Sequence, residues 1–597
     1  MNIRPVEDFL GDLLLLPLRC LTADRQPYGA MLLQPDGPIE GTTNRVGHRN
    51  QARGASLCRS FLRQSVQEHA DLVVAPEYCV PWVIANEIAA VDSTMRPAVG
   101  AIWVLGFESI SLVQLQQTAD GLRQAGHFVQ YESISAADAH LKSYVDPLVF
   151  VFWCSRSDGA PILCFFVQFK TAPCRDGLDV EQRSLCLGKL VYTFNRGLNQ
   201  IGLMSIICSD AFALTEAQVN DFHSNMLLLH IQLNPKPAHT DYARYRTQLL
   251  SIASNKDVEL LCLNWAGDIV EWTTDGKNKP WHNNAGSAFY VPPGKFSAQE
   301  PIVNEAHRNG LYYSLVGRWH ALYLNQRPHV ILLQKQKVMM HGDPQALMPT
   351  TCASVVRRWT WDAEGAALAI ATEAQDGFEV AVAPYPNLPE QLNALSAQSP
   401  IAVERALEML VGAPKKSDRW FEIGVLESMR VADGEALRRI TVHQDFAPDS
   451  QGVPFRKQRL QRAQDAATLP GKGVPWPPPL RDLEQGFSYA WTLGEPHQNV
   501  RATQTGNGAG LVYLGDQSDD DDVRKVYSVL LEGTTMHAVK KATKSNTDLT
   551  DAVARSRDRL CVVYRRDHQL HVWGVERVSR IDRPPELSAF DIAGDAA

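Results

Sequence analysis

The sequence predicts a layered α/β domain followed by a smaller α+β region, and three observations carry that reading. From about residue 50 to residue 345, short apolar runs alternate with amphipathic segments, the pattern of strands and covering helices. After His329-Val-Ile-Leu-Leu-Gln334 the texture changes, with Gly342-Asp-Pro344 and Pro349 as punctuation. A chain of 597 residues also exceeds what one hydrophobic core organises. Residues 1–345 are therefore read as one domain and residues 346–597 as a second region.

Each element has a local reason. Leu57, Cys58, Phe61, Leu62 and Val66 recur at helical spacing, and Asp71-Leu-Val-Val-Ala75 reads as a buried strand ending at Pro76-Glu77. Further strands are expected at Ala101 to Phe107, Ile162 to Phe169, Ile201 to Cys208, Met226 to Leu233 and Val258 to Leu263. Thr215-Glu-Ala-Gln218 is a capping box opening a helix toward Phe222, and Tyr242 to Ala253 is amphipathic. Ser109 to Tyr144 is mixed and reads as a helical excursion. In the second region, strand-like segments lie at Phe378 to Val382, Leu511 to Leu514, Leu560 to Tyr564 and Leu570 to Val575. Helices are expected at Pro400 to Val411 and Asp519 to Leu531. Between them, the Pro-rich stretch near 470–480 (Pro470-Gly-Lys-Gly-Val-Pro-Trp-Pro-Pro-Pro479) cannot continue a helix or a central strand and is read as a linker.

Composition removes several classes of function. With 45% hydrophobic and 21% charged residues, 39 Gly and 35 Pro, wholesale disorder, collagen and coiled coil are excluded. The net charge of −8, from 66 acidic against 58 basic residues, leaves no footprint for a dedicated duplex binder, so nucleic acid is not the expected partner. No apolar run approaches the roughly 18 residues of a membrane span. Leu13 to Leu16 follow Glu7, Asp8 and Asp12 rather than a basic n-region, which predicts a cytoplasmic protein. The 11 cysteines form no CxxC, and Cys58, Cys154, Cys164, Cys208, Cys262 and Cys561 lie in apolar runs, as reduced thiols do.

Three strand ends carry chemistry. One ends in a carboxylate (Val73-Val-Ala-Pro-Glu77), a second in an amine (Phe165-Phe-Val-Gln-Phe-Lys170) and a third in a thiol (Met204-Ser-Ile-Ile-Cys208-Ser-Asp210). In layered α/β sheets functional side chains gather beyond the carboxyl ends of strands, so all three can reach one pocket. A thiol there needs a base, and an ammonium beside it favours the thiolate and stabilises negative charge developing on a substrate.

These residues resemble the nitrilase superfamily of carbon-nitrogen hydrolases, whose hallmark is Glu, Lys and Cys in that chain order. Pro76-Glu77 looks like its glutamate motif, Lys170-Thr-Ala-Pro173 like its K-x-x-P motif, and Gly202-Leu-Met-Ser-Ile-Ile-Cys208-Ser-Asp210 like its nucleophile motif. Asn234-Pro235, Leu263-Asn264-Trp-Ala-Gly267, and Gly286-Ser287 with Pro293-Gly294 follow in the family's order. The resemblance covers roughly residues 10 to 340. Single motifs of this kind are weak; their joint order and strand context carry the likeness. The 93 residues from Glu77 to Lys170 exceed the usual separation, which the Ser109 to Tyr144 insertion accounts for. The family's second glutamate has three claimants, Asp176, Asp179 and Glu181, of which residue type selects Glu181.

The resemblance implies a four-layer αββα sandwich and a hydrolase of non-peptide carbon-nitrogen bonds. Cys208 would be the nucleophile, Glu77 the general base, Lys170 with the Ser209 backbone N–H the oxyanion stabiliser, and Glu181 the assisting carboxylate. It implies a small amide or nitrile as substrate, with amidase ranked above nitrilase proper, no metal or organic cofactor, and a homodimer or larger assembly. Tyr78 to Trp82, Ser109 to Tyr144 and Trp265 to Trp281 would line the pocket mouth, with Tyr78, Trp82, Asn264 and Trp265 nearest the substrate.

Plainer readings stand beside these. Taken alone, Cys208 is a packed core thiol and Glu77 and Lys170 are solvated ends; Cys79, Cys174 and Cys262 are read as packing or loop thiols. Asp519 to Asp522 suit a helix start, and Thr505 to Gly510 a turn before a strand. Arg456, Lys457, Arg459 and Arg462 read as a solvated face, and His230, His239, His320 and His329 have no zinc spacing. A rival function is a catalytically silent or triggered module in a multi-protein sensor or effector system, defence included. The unassigned second region motivates it, and its protein partner cannot be read.

Overall fold

Apolar runs rich in Val, Ile, Leu and Phe pair into two large sheets in the computed structural model of this chain. The structure describes residues 1–24, 26–134, 142–174, 180–194, 201–215, 217–218, 225–235, 237, 245, 258–282, 287–291, 311–316, 319–324, 327–338, 353–371, 378–398, 400–412, 452–491, 495, 497–517, 519–545 and 547–574. Outside them fall Gly286, Pro293-Gly294, Asp176, Asp179, His239 and, apart from Tyr245, the expected helix at Tyr242 to Ala253. The chain divides into two compact units near residue 375.

In the first unit one sheet is centred on strands Tyr28–Gln34, Leu72–Val80, Ile102–Phe107, Pro147–Ser155 and Pro161–Phe169. The other runs from Asn2–Pro5 through Leu190–Phe194, Gly202–Ile207, Met226–Ile231 and Val258–Leu263 to Ala288–Val291 and beyond. Both are mixed, and the strands carrying the chemistry have parallel neighbours: Leu72–Val80 pairs with Tyr28–Gln34 and Ile102–Phe107, and Gly202–Ile207 pairs with Met226–Ile231. Side chains alternate across each strand. On the first sheet Phe150, Phe152 and Phe166 face the second, with edge-on or tilted ring contacts to Tyr192 and Phe194. The opposite face packs Val73, Ala75, Trp103 and Leu105 with Leu57, Phe61 and Leu62 of helix Gln51–Gln67. That helix starts where Asn50 accepts from the Arg53 N–H at 3.0 Å, closing one of its open first-turn donors.

Several expectations change on contact with the structure. The strand at Asp71 does not stop at Glu77 but continues to Val80 across an irregularity between Ala75 and Val80. The Ser109 to Tyr144 insertion holds helix Leu112–Gln124 and then strand Phe128–Tyr131, which adds in parallel to the Pro161–Phe169 edge. Strands Ala353–Trp361 and Leu368–Ile370 extend the first sheet, so the first unit reaches past residue 345 because backbone pairing, not the Gly342-Asp-Pro344 punctuation, sets its end. Thr215 and Gln218 do form the capping box, by reciprocal bonds of 3.2 and 3.0 Å.

The second unit is a five-stranded sheet in the order Phe487–Tyr489, Val500–Ala502, Gly508–Asp516, Leu560–Arg566, Gln569–Trp573. Helices Leu388–Gln398, Pro400–Leu410 and Gly452–Ala467 cover the face of Leu511, Tyr513, Cys561 and Val563. Helix Asp520–Ser545 covers Val512, Leu514 and Val562 and bridges the parallel pair Gly508–Asp516 and Leu560–Arg566. Phe378–Val382 is helical, not a strand; a five-residue apolar run carries no period that separates the two. The Pro-rich stretch is no linker: Val474, Trp476 and Leu480 are buried in this unit's core and Pro478–Gln485 forms a 3-10 helix. Nor are Arg456 and Arg459 a solvated face, since both are buried and Arg459 pairs with Glu404 at 3.1 Å.

Candidate active site

Glu77 comes from within a strand, and Lys170 and Cys208 come from two strand ends. Glu77 lies in the irregular part of Leu72–Val80, Lys170 directly follows Pro161–Phe169, and Cys208 directly follows Gly202–Ile207. Two non-glycine residues there adopt left-handed backbone, Tyr78 at φ 56° and Cys208 at φ 42°, a conformation that costs energy and is held by its surroundings. Asp210 supplies much of that hold around Cys208: its carboxylate accepts from the N–H groups of Thr171, Ala172 and Ile207 and from the Thr171 hydroxyl. The Ser209 hydroxyl donates to the Ala172 carbonyl at 2.6 Å. The segment after Lys170 is thus clamped to the segment after Cys208.

A small residue makes the Glu77 turn possible. A Cβ on Gly106 of the adjacent strand would lie 2.1 Å from the Pro76 carbonyl oxygen and 2.7 Å from the Glu77 Cα. Only glycine admits that approach.

Lys170 is wholly buried, and its ammonium donates to Glu77 Oε1 at 2.6 Å and to both oxygens of Glu181 at 2.8 Å. Burial alone would depress its pKa, but the charges of Glu181 and Glu77 hold it well above the ordinary lysine value. Glu77 is also bonded by the Leu233 N–H, and its backbone carbonyl accepts from the Trp265 indole at 2.8 Å. Burial raises its carboxyl above the usual range while Lys170 opposes the shift. Glu181 accepts further bonds from the Tyr78 hydroxyl at 3.0 Å and the Cys174 N–H at 2.7 Å.

Cys208 lies within electrostatic reach of both Glu77 and Lys170. Its hydrogen bond with Cys174, its burial and the Glu77 charge push the thiol well above the ordinary value, and Lys170 works against them. The resting group is therefore a thiol that needs a base. The Cys208 carbonyl meets His230 Nε2 at 2.8 Å, so this histidine supports the Cys208 backbone.

The four residues expected around the substrate are placed differently from one another. Trp82 is half-buried, donating to the Glu108 carbonyl at 2.8 Å. Tyr78, Asn264 and Trp265 are fully buried with their polar groups engaged inside the protein. Tyr78 bonds Glu181, Trp265 bonds Glu77, and Asn264 clasps the Asn234 backbone through both amide atoms, at 3.0 and 2.8 Å. Sequence reasoning missed Cys174, His230 and above all Asp146, a wholly buried carboxylate whose Oδ2 is 3.6 Å from the Lys170 ammonium. The pairing register reveals it: strands Pro147–Ser155 and Pro161–Phe169 pair with Phe169 opposite Pro147, which sets Asp146 opposite Lys170. Oxygens of Glu77, Asp146 and Glu181 lie within 4.8 Å of one another, a set that suits a cation, and Lys170 already places its ammonium among them.

No protein-family model matches this chain, and no curated protein does. Solved structures similar to it include a glutamine-dependent NAD+ synthetase from Acinetobacter baumannii, 13% identical over 54% of this chain and 49% of that one, TM-score 0.30. This chain thus spans about half of that synthetase's length. An amidase of the nitrilase superfamily from Nesterenkonia AN1 is 13% identical over 47% of this chain and 86% of its own, TM-score 0.25. A carbon-nitrogen hydrolase from Helicobacter pylori G27 is 12% identical over 45% of this chain and 82% of its own, TM-score 0.27.

Proposed function

We propose that the first unit is a thiol-dependent carbon-nitrogen hydrolase of nitrilase-superfamily type, acting on a small amide in preference to a nitrile. The observation that carries this reading is the buried Lys170 ammonium held between Glu77 and Glu181, with the Cys208 thiol on an adjacent strand end sensing both Glu77 and Lys170. Glu77 takes the thiol proton and the Cys208 sulfur attacks the amide carbon. Lys170 and the Ser209 backbone N–H meet the charge that develops on the carbonyl oxygen. The amine leaves with the proton from Glu77, giving a thioester, which a water activated by Glu77 hydrolyses to the acid. Glu181 fixes Lys170 and, with it, Glu77. The four-layer αββα arrangement and a homodimer or larger assembly belong to the same reading. The two facing sheets and helix Gln51–Gln67 on the outer face support the former. Sedimentation at the monomer mass of 66.3 kDa across a wide concentration range would count against the latter.

Intact-mass analysis of the full chain with a panel of amides and nitriles tests the chemistry. An acyl adduct on Cys208, absent in Cys208→Ala and slowed in Glu77→Gln, is expected; labelling independent of both substitutions contradicts it. One observation favours a triggered form of the activity: Glu77, Lys170, Glu181 and Cys208 are each no more than 1% exposed. In that form the site opens on binding a partner or ligand, and the panel yields adducts only after such a trigger. A biological effect retained by Cys208→Ala would instead favour the silent module.

A further inference from the structure

Three carboxylates and one ammonium share the buried site. Glu77, Asp146 and Glu181 are no more than 1% exposed, and Lys170 is not exposed at all. Fully ionised, the cluster would carry two uncompensated negative charges out of contact with water, which carboxylates this close avoid by keeping a proton.

The hydrogen bonds indicate which carboxylate keeps it. Lys170 makes its three bonds to Glu77 and Glu181, and Asp146 Oδ2, at 3.6 Å, is beyond hydrogen-bond reach. Glu181 gains two more donors, the Tyr78 hydroxyl and the Cys174 N–H, and Glu77 gains the Leu233 N–H. Among the described residues no N–H or O–H donates to either side-chain oxygen of Asp146. The groups facing Asp146 are Glu77 from strand Leu72–Val80, Lys170 beyond Pro161–Phe169, Glu181 on helix Val180–Ser184, and the rings of Tyr78 and Tyr144. Its backbone carbonyl accepts from the Lys170 N–H at 3.0 Å, which fixes the Asp146 backbone beside the cluster.

We propose that Asp146 is a positioning residue that keeps its proton at neutral pH and donates it in a hydrogen bond to Glu77, leaving Glu77 the ionised member of the pair and so able to act as base. The inference deepens the hydrolase reading above and rests on it. Burial and the neighbouring Glu77 charge push the Asp146 carboxyl well above the usual range, in keeping with the geometry. No proton is consumed: the one Glu77 takes from Cys208 returns to the leaving amine, while the Asp146 proton stays in place throughout.

The test uses the full chain and iodoacetamide, a small amide with an alkylating carbon, and follows Cys208 modification by peptide mass from acid to alkaline pH. In Asp146→Asn the amide N–H replaces the donated proton, and the rate at pH 7 is expected within about threefold of wild type. In Asp146→Ala the donor is lost and Glu77 binds its proton more tightly. The rising limb of the profile should then move up by about one pH unit, a roughly tenfold loss at any pH on that limb. Equal behaviour of the two variants overturns the proposal. Should Asp146→Ala not fold, infrared difference spectra of wild type against Asp146→Asn decide the matter: the protonated-carboxyl carbonyl band is present only in wild type, and its absence overturns the proposal. Failure of the hydrolase reading looks different. Cys208 would then react no faster than the other cysteines and Glu77→Gln would leave its rate unchanged.

Discussion

Two lysines in the first unit are equally buried and equally well paired, yet only one sits in a site. Lys335 Nζ meets Glu259 at 2.7 Å, and Lys170 Nζ meets Glu77 at 2.6 Å, with every partner no more than 1% exposed. Lys335 lies on a strand, its charge matched by one carboxylate and a backbone carbonyl 2.9 Å away, with the Phe289 ring beside it. Lys170 lies just past a strand end, surrounded by more negative charge than it can neutralise and within reach of a thiol in strained backbone. A buried ion pair is by itself a structural device, here bridging the two sheets. Surplus acid, a thiol and strained backbone distinguish the Lys170 region from the Lys335 one.

The comparison can be broken most sharply at the thiol. Cys208→Ala should abolish iodoacetamide or amide labelling of the reactive site, whereas Lys335→Met should leave the rate for Cys208 within about twofold, read by peptide mass; a Lys335 effect as large as that of Cys208→Ala would erase the distinction.

Both lysines should matter for stability. Lys170→Met and Lys335→Met each strand buried carboxylate and are expected to cost about 3 to 5 kcal/mol in denaturant unfolding. Lys170→Met should in addition slow Cys208 alkylation more than tenfold, because it removes the charge that favours the thiolate.

A smaller change is expected at Gly106. Gly106→Ala drives a methyl into the Pro76 carbonyl and should cost about 1 to 3 kcal/mol, with a several-fold slowing at Cys208 as Glu77 is displaced. Unchanged stability and rate would show that the bulge can move freely.

A last expected effect is a pH dependence of stability rather than of the reaction. Burial depresses His48 to about 4 and His329 to about 3, so the folded chain stays neutral there while the unfolded chain takes up protons below about 6.5. Their contribution to stability is full above that pH and is lost as pH falls toward 4 and 3, lowering Tm on the acid side. Asp210, raised to about 6 chiefly by burial, acts in the opposite sense. The folded state binds its proton first between about 6 and 3.9, so acidification stabilises through this group and partly offsets the histidines. Replacing both histidines by Gln should flatten the acid side of the Tm profile; an unaltered slope would remove them as its cause.

Much of the Lys170 region is legible in the sequence because Glu77, Lys170 and Cys208 each follow an apolar run, and a buried strand announces itself by composition. Glu181 emerges by residue type, and the structure places it on Lys170. Asp146 was hidden because it precedes its strand in an Asp-Pro dipeptide that reads as punctuation; only the pairing register brings it opposite Lys170. Tyr78, Asn264 and Trp265 were seen as aromatic or polar groups near motifs, but whether such a group faces a substrate or a neighbouring carbonyl is a tertiary matter. Gly106 carries no local signal at all, since what it accommodates is the backbone of another strand. In the second unit the same limit turned buried Arg456 and Arg459 into an apparent surface patch and the packed Val474 to Leu480 segment into an apparent linker.

The most direct measurement is a site-resolved rate of iodoacetamide modification for every cysteine of the full chain at pH 7, in wild type and in Glu77→Gln. Cys208 reacting at least about tenfold faster than any other cysteine, with that advantage lost in Glu77→Gln, is the result an assembled Glu77, Lys170 and Cys208 site predicts. Equal rates across the cysteines, or a Cys208 rate indifferent to Glu77, would contradict it.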